Sequence, residues 1–100
     1  MLTLTFSQEI AHLSGELTRH TIPQLSDKVT APLFSKKQMV LDLIAVKKID
    51  TAGLAWLLAQ VELADINACQ LTLSHLPPDL MKLATLSGVD SFLPVYTRDQ

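Results

Sequence analysis

The 100-residue, 11.0 kDa chain is long enough for one hydrophobic core and too short for two, so a single domain over residues 1–100 is expected. Apolar residues make up 48% and charged residues only 18%, which predicts a compact globule with more apolar surface than usual and hence a protein partner. The net charge of -2, with no basic cluster beyond Lys36-Lys37 and Lys47-Lys48, argues against nucleic acid or an anionic lipid surface as the target.

In chain order, Leu2-Thr3-Leu4-Thr5-Phe6 alternates apolar and polar side chains, and Ile10 to Leu13 follows after Ser7-Gln8-Glu9, so the chain starts as an antiparallel hairpin. Ser14-Gly15-Glu16-Leu17 ends the second strand, with Gly15 free to take a positive φ or to let another backbone approach. Thr21 is placed to cap a short helix with Pro23 in its first turn and Ile22, Leu25 and Val29 on one side, closed by Ala31-Pro32. Met39 to Leu43 is a nearly unbroken apolar run, interrupted by Asp42, and predicts an interior strand covered on both faces. Lys47-Lys48 reads as the turn after it.

Asp50 and Thr51 then offer two side-chain oxygens at the start of a helix over 52–68, and either can cap its free N–H groups. Two apolar sectors run along that helix. Leu54, Leu57, Leu58, Val61, Ala64 and Ala68 form the stripe expected to pack on the sheet. Ala52, Ala55, Trp56, Ala59, Leu63 and Ile66 form a second. It is either covered by a neighbouring helix of the same domain or is a docking surface, where small residues admit a partner's backbone and Trp56 is an anchor.

Gln70-Leu71-Thr72-Leu73-Ser74 alternates cleanly and predicts the next strand, parallel to the central one because a helix joins them. After the His75-Leu76-Pro77-Pro78 turn, Asp79 is a natural cap for a helix carrying Leu80, Leu83, Ala84 and Leu86, closed by Gly88. Phe92-Leu93-Pro94-Val95-Tyr96 reads as a short edge strand, and the polar tail 97–100 as frayed. The fold class is α/β: a small mixed sheet with helices mainly on one face.

Chemistry-bearing motifs are few. His12, His20 and His75 stand alone, with no metal-ligand spacing, and no nucleophile elbow, phosphate-binding glycine loop or dinucleotide fingerprint occurs. No catalytic residue, metal or cofactor is therefore expected. Cys69, the one cysteine, reads as a reduced structural residue. With no apolar stretch approaching the ~20 residues of a membrane span, and no signal peptide, a cytosolic protein is expected. Thr51 is the remaining candidate: its hydroxyl can cap the helix, contact a partner or, if phosphorylated, place negative charge near free N–H groups.

Ile49-Asp50-Thr51-Ala52-Gly53-Leu54 after an apolar strand, with Leu13-Ser14-Gly15-Glu16-Leu17 upstream, resembles the STAS domain shared by anti-sigma-factor antagonists and sulfate-transporter tails. Antagonists of that family carry Asp-Ser-Ser-Gly at this joint and are phosphorylated on the second serine, a position held here by Ala52. The resemblance is nearest to the subgroup of soluble STAS subunits of the Mla phospholipid transporter of Gram-negative bacteria, whose joint reads Asp-Thr-Gly-Gly-Leu. It implies a non-catalytic cytoplasmic subunit, peripheral to the inner membrane. Such a subunit binds the ATPase of an ABC transporter within a complex with permease and substrate-binding protein, and that complex moves phospholipid between the membranes. The implied partner-binding residues are Asp50, Thr51, Ala52, Gly53, Ala55, Trp56 and Ala59. The other reading of the resemblance is a signalling antagonist switched by phosphorylation at Thr51.

Overall fold

The computed structural model describes residues 1–97. Four strands form one mixed sheet in the order β1-β2-β3-β4: β1 (Thr3–Ser7), β2 (Ile10–Leu17), β3 (Gln38–Ile49) and β4 (Gln70–Ser74). The first two pair antiparallel as a hairpin, whereas β2–β3 and β3–β4 are parallel. Helices α2 (Thr51–Ile66) and α3 (Pro78–Leu86) pack against β3, and α2 also against β4. Beneath them lie the fully buried Leu13, Leu17, Leu33, Leu41, Leu57, Leu73 and Leu80.

The opposite face of the sheet is open, which corrects the expectation that the central strand is covered on both sides. In β3 the buried residues are Met39, Leu41, Leu43, Val46 and Ile49, while Ile44 is 68% exposed. The spacing along β3 widens from every second to every third residue because its register with β2 shifts twice, between His12 and Ser14 and between Gly15 and Glu16. At each shift one extra residue of β3 is accommodated, and two consecutive side chains face solvent. Lys47-Lys48 is the second of these pairs, inside the strand, and not the turn expected from sequence.

Further corrections fall where turns compete with helices. Residues 22–34 form a 3₁₀ turn (Ile22–Gln24), a single helical turn, α1 (Asp27–Thr30), and a second 3₁₀ turn (Ala31–Phe34) in place of one helix. Thr21 caps none of them: its hydroxyl donates to the Glu16 carbonyl (2.6 Å) and accepts from the Thr18 N–H (3.0 Å). Pro77, not Asp79, precedes the first residue of α3, and Asp79 lies within its first turn. Phe92–Tyr96 contributes a single parallel bridge, Leu73 with Val95, after a 3₁₀ turn over Asp90–Phe92. Gly88 does close α3 in the left-handed region, at φ 73°. Residues 98–100 of the tail expected to fray lie outside the described residues.

The helix α2 ends two residues short of the expected Ala68, which takes φ 57° just beyond it. Its buried stripe is Gly53, Leu54, Leu57, Gln60 and Ala64, rotated from the expected one so that Leu58 and Val61 are only half-buried. Gln60 is 6% exposed, and its Oε1 has no hydrogen-bond donor among the described residues.

Candidate functional site

The joint between β3 and α2 is held by Asp50. Its N–H donates to the Leu17 carbonyl (3.4 Å), its Oδ1 accepts from the Gly53 N–H (3.0 Å), and its Oδ2 accepts from the Arg19 N–H (3.0 Å). One carboxylate therefore caps α2 and fixes the loop that follows β2. Burial pushes the Asp50 carboxyl up, but the N–H groups of Arg19, Gly53 and Ala52 and the Arg19 charge outweigh it and hold it below the ordinary 3.8. Of the two candidate caps, Asp50 does the capping.

Gly53 is required by close approach. A Cβ there would stand 2.3 Å from the Leu17 carbonyl oxygen and 2.8 Å from Ile49 Cγ1, so only glycine lets the end of β2 lie on the first turn of α2. Gly15 meets two demands at once, with φ 117° and a virtual Cβ 2.1 Å from the Met1 carbonyl oxygen. The Ser-Gly-Glu-Leu segment and the Asp-Thr-Ala-Gly joint, over thirty residues apart in the chain, are thus the two sides of one backbone contact.

With Asp50 and Gly53 occupied in this way, the exposed surface falls to their neighbours. Thr51 is exposed at the first position of α2 and lines a shallow depression with Glu16, Arg19, His20, Lys48 and Ala52. Ala55 and Ala59 are exposed, Ala52 and Trp56 half-buried, and the stripe continues into Leu63 (43% exposed) and Ile66 (71%). Trp56 packs in part against the core, while Ala55, Ala59, Leu63 and Ile66 stay open to solvent. The surface is apolar, and small-residued at its N-terminal end.

A second polar cluster escaped sequence reading. On the open face of the sheet, Asp42 Oδ1 accepts from the Ile44 N–H (3.1 Å) and from the Ser74 hydroxyl (3.3 Å), and lies 2.8 Å from His75 Nδ1. Its Oδ2 lies 3.4 Å from His12 Nδ1. Burial raises the Asp42 carboxyl, but the hydrogen bonds from His75, Ile44 and Ser74 and the His75 charge bring it below 3.8. Both imidazoles use the same ring nitrogen on one carboxylate, and among the described residues no three His, Cys, Asp or Glu are arranged to hold a metal ion. The signal available in sequence was Asp42 itself, a lone carboxylate in an apolar strand; the strand register that brings the histidines to it was not.

This fold, with this joint, is that of a STAS domain. Three solved structures share the fold: the phosphorylated Bacillus cell fate determinant SpoIIAA (18% identity, 98% of this chain and 93% of that chain, TM-score 0.66), a putative anti-sigma factor antagonist from Thermotoga maritima (15%, 97% and 86%, 0.73) and an anti-sigma factor antagonist from Mycobacterium paratuberculosis (22%, 98% and 86%, 0.71). The family model for the MlaB STAS domain matches residues 1–94, and the chain belongs to that family. No curated protein sequence matches it. Among the described residues no helix is long and apolar enough to cross a membrane.

Proposed function

We propose that the chain is a non-catalytic, cytoplasmic STAS subunit that docks on the ATPase of an ABC transporter for intermembrane phospholipid transport. The complex would also hold a permease and a substrate-binding protein, placing this subunit at the inner membrane through its partner and in support of outer-membrane lipid asymmetry. The observation that carries the reading is the exposed apolar side of α2, which begins next to Thr51 and runs through Ala55, Ala59 and Leu63 to Ile66. The family match supports the transporter class, and Ala52, which has no hydroxyl, supports a constitutive subunit over a phosphoswitch. Thr51, Ala52, Ala55, Trp56 and Ala59 supply the contact; Asp50 and Gly53 shape it from beneath.

Thr51→Glu tests this. A carboxylate buried without a partner at a desolvated contact costs about 2–5 kcal/mol. The variant should lose co-purification of the ATPase from the native host while keeping the wild-type circular dichroism spectrum; undiminished co-purification would sink the docking site. The second reading, a signalling antagonist, is favoured by one observation: the Thr51 side chain is exposed at a helix N-terminus beside Arg19 and Lys48, where a phosphate would be stabilised. Recovery of a kinase or anti-sigma factor with the wild-type bait, and stoichiometric phosphate on Thr51, would decide for it.

A further inference from the structure

The sheet treats its two edges differently. At the outer edge of β4, the Leu73 N–H donates to the Pro94 carbonyl (2.8 Å), and the Leu73 carbonyl accepts from the Tyr96 N–H (2.7 Å). Pro94 itself has no N–H to offer a further strand. At the other edge, β1 pairs with β2 alone among the described residues. Exposed edges are ordinarily blunted by a charge, a proline or a bulge. Thr3-Leu4-Thr5-Phe6-Ser7 has no charge and no proline, and its register with β2 runs without a shift.

The free backbone groups of that edge can be assigned. The two-residue Gln8-Glu9 connection makes Ser7 and Ile10 a hydrogen-bonded pair, so the odd residues of β1 exchange bonds with β2, and the N–H and C=O of Leu4 and Phe6 point outward. Leu2 has the same parity, and its N–H is taken instead by Gln24 Oε1 at 3.3 Å. Leu4 and Phe6 are left as an unpaired donor–acceptor set.

We propose that β1 is a self-association edge, on which a second copy of this chain pairs antiparallel about a two-fold axis at Thr5. What selects a second copy is that the strand is its own complement in that register. Leu4 falls opposite Phe6 of the second copy and the two exchange both of their backbone hydrogen bonds, with the symmetric pair doing the same. Leu4 and Phe6 share the face of Leu13 and Ala11, their partners on β2, so the contact continues the apolar layer across the axis and covers Phe6. On the open face Thr5 meets Thr5 and Thr3 meets Ser7, hydroxyl to hydroxyl, and no charge faces its like. The inference is independent of the transporter reading, because α2 lies over β3 and β4 and its stripe stays free.

Sedimentation of the full chain from micromolar to millimolar concentration tests the proposal, with wild type, Thr5→Lys, Thr5→Glu and an equimolar mixture of the two variants. Thr5 is exposed, so either substitution leaves the core untouched. Wild type should rise from 11.0 kDa to twice that mass, each variant alone should remain monomeric, and the mixture should pair again through Lys opposite Glu. The Leu4 and Phe6 amides should gain protection from hydrogen exchange with rising concentration, while that of Thr5 should be insensitive to it. A wild type that stays monomeric throughout, or association that persists in Thr5→Lys or leaves the Leu4 and Phe6 amides unprotected, overturns it.

Discussion

Gly53 shows most directly how one residue sets the joint. Its neighbours are backbone and a branched side chain: the Leu17 carbonyl and the Ile49 Cγ1 both stand inside the contact distance of any Cβ. The carbonyl cannot move without moving β2, and the β-branched Ile49 is stiff at χ1, so most of the strain of Gly53→Ala has to be absorbed by the seam between strand and helix. The substitution should cost about 1–3 kcal/mol, the range of overpacked interiors, seen as a lowered urea midpoint at unchanged slope. An unaltered midpoint would mean that β2 and α2 separate without cost. Ala52 is the instructive contrast: half-buried beside Gly53, it presents its methyl toward the surface, so the position that carries a serine in antagonists can vary without touching the seam. Asp50 belongs with Gly53, since its two oxygens bind the first turn of α2 and the Arg19 loop together.

At the scale of elements, Asp42 links three strands' worth of sequence, with His12 on β2, Ser74 at the end of β4 and His75 just beyond it. Its carboxyl is lowered in the fold, so the unfolded chain takes up the proton first as pH falls. The stabilisation is fully present above the ordinary 3.8 and is lost as pH drops through the folded value. Asp42→Asn should therefore flatten the decline of unfolding free energy on the acid side of pH 5 while lowering stability at neutral pH; a decline as steep as that of wild type would place the acid lability elsewhere, with Asp50 the next group to test. These contacts were not legible in the sequence, because register is a property of pairs of strands. The strands themselves are legible wherever one rhythm holds: β4 alternates strictly, and its spacing gives its bounds. Reading failed where bulges changed the rhythm of β3 from two to three, so that Lys47-Lys48 looked like a turn. It failed again at residues 22–34, where the backbone leaves the helical region at Leu25 and Ser26 and Pro32 removes an N–H, so that only short turns form. The buried side of α2 is displaced by one position from the one its apolar spacing predicts, because Gln60, polar by type, is buried along with Leu57 and Ala64.

For the molecule as a whole, the distribution of charge bears on the docking proposed for α2. Net charge is only -2, and the charged groups near the stripe lie at its borders: Arg19 and Lys48 beside Thr51, Glu62 and Asp65 toward the far end. The centre, Ala55, Ala59 and Leu63, carries none, so burial of apolar surface rather than charge must supply most of the affinity. Border charges act over a Debye length that shrinks from about 10 Å at 0.1 M salt to about 3 Å at 1 M, while apolar burial is not screened. Binding of the proposed ATPase partner, measured by titration across that range, should weaken by less than about tenfold, and the small loss should appear in the association rate, where steering by rim charges is felt. A fall of several orders of magnitude would instead assign the affinity to Arg19 and Lys48 at the depression beside Thr51. That outcome would favour an anionic or phosphorylated contact over an apolar one, because the stripe and the basic rim meet at Thr51 and only the rim is screened by salt.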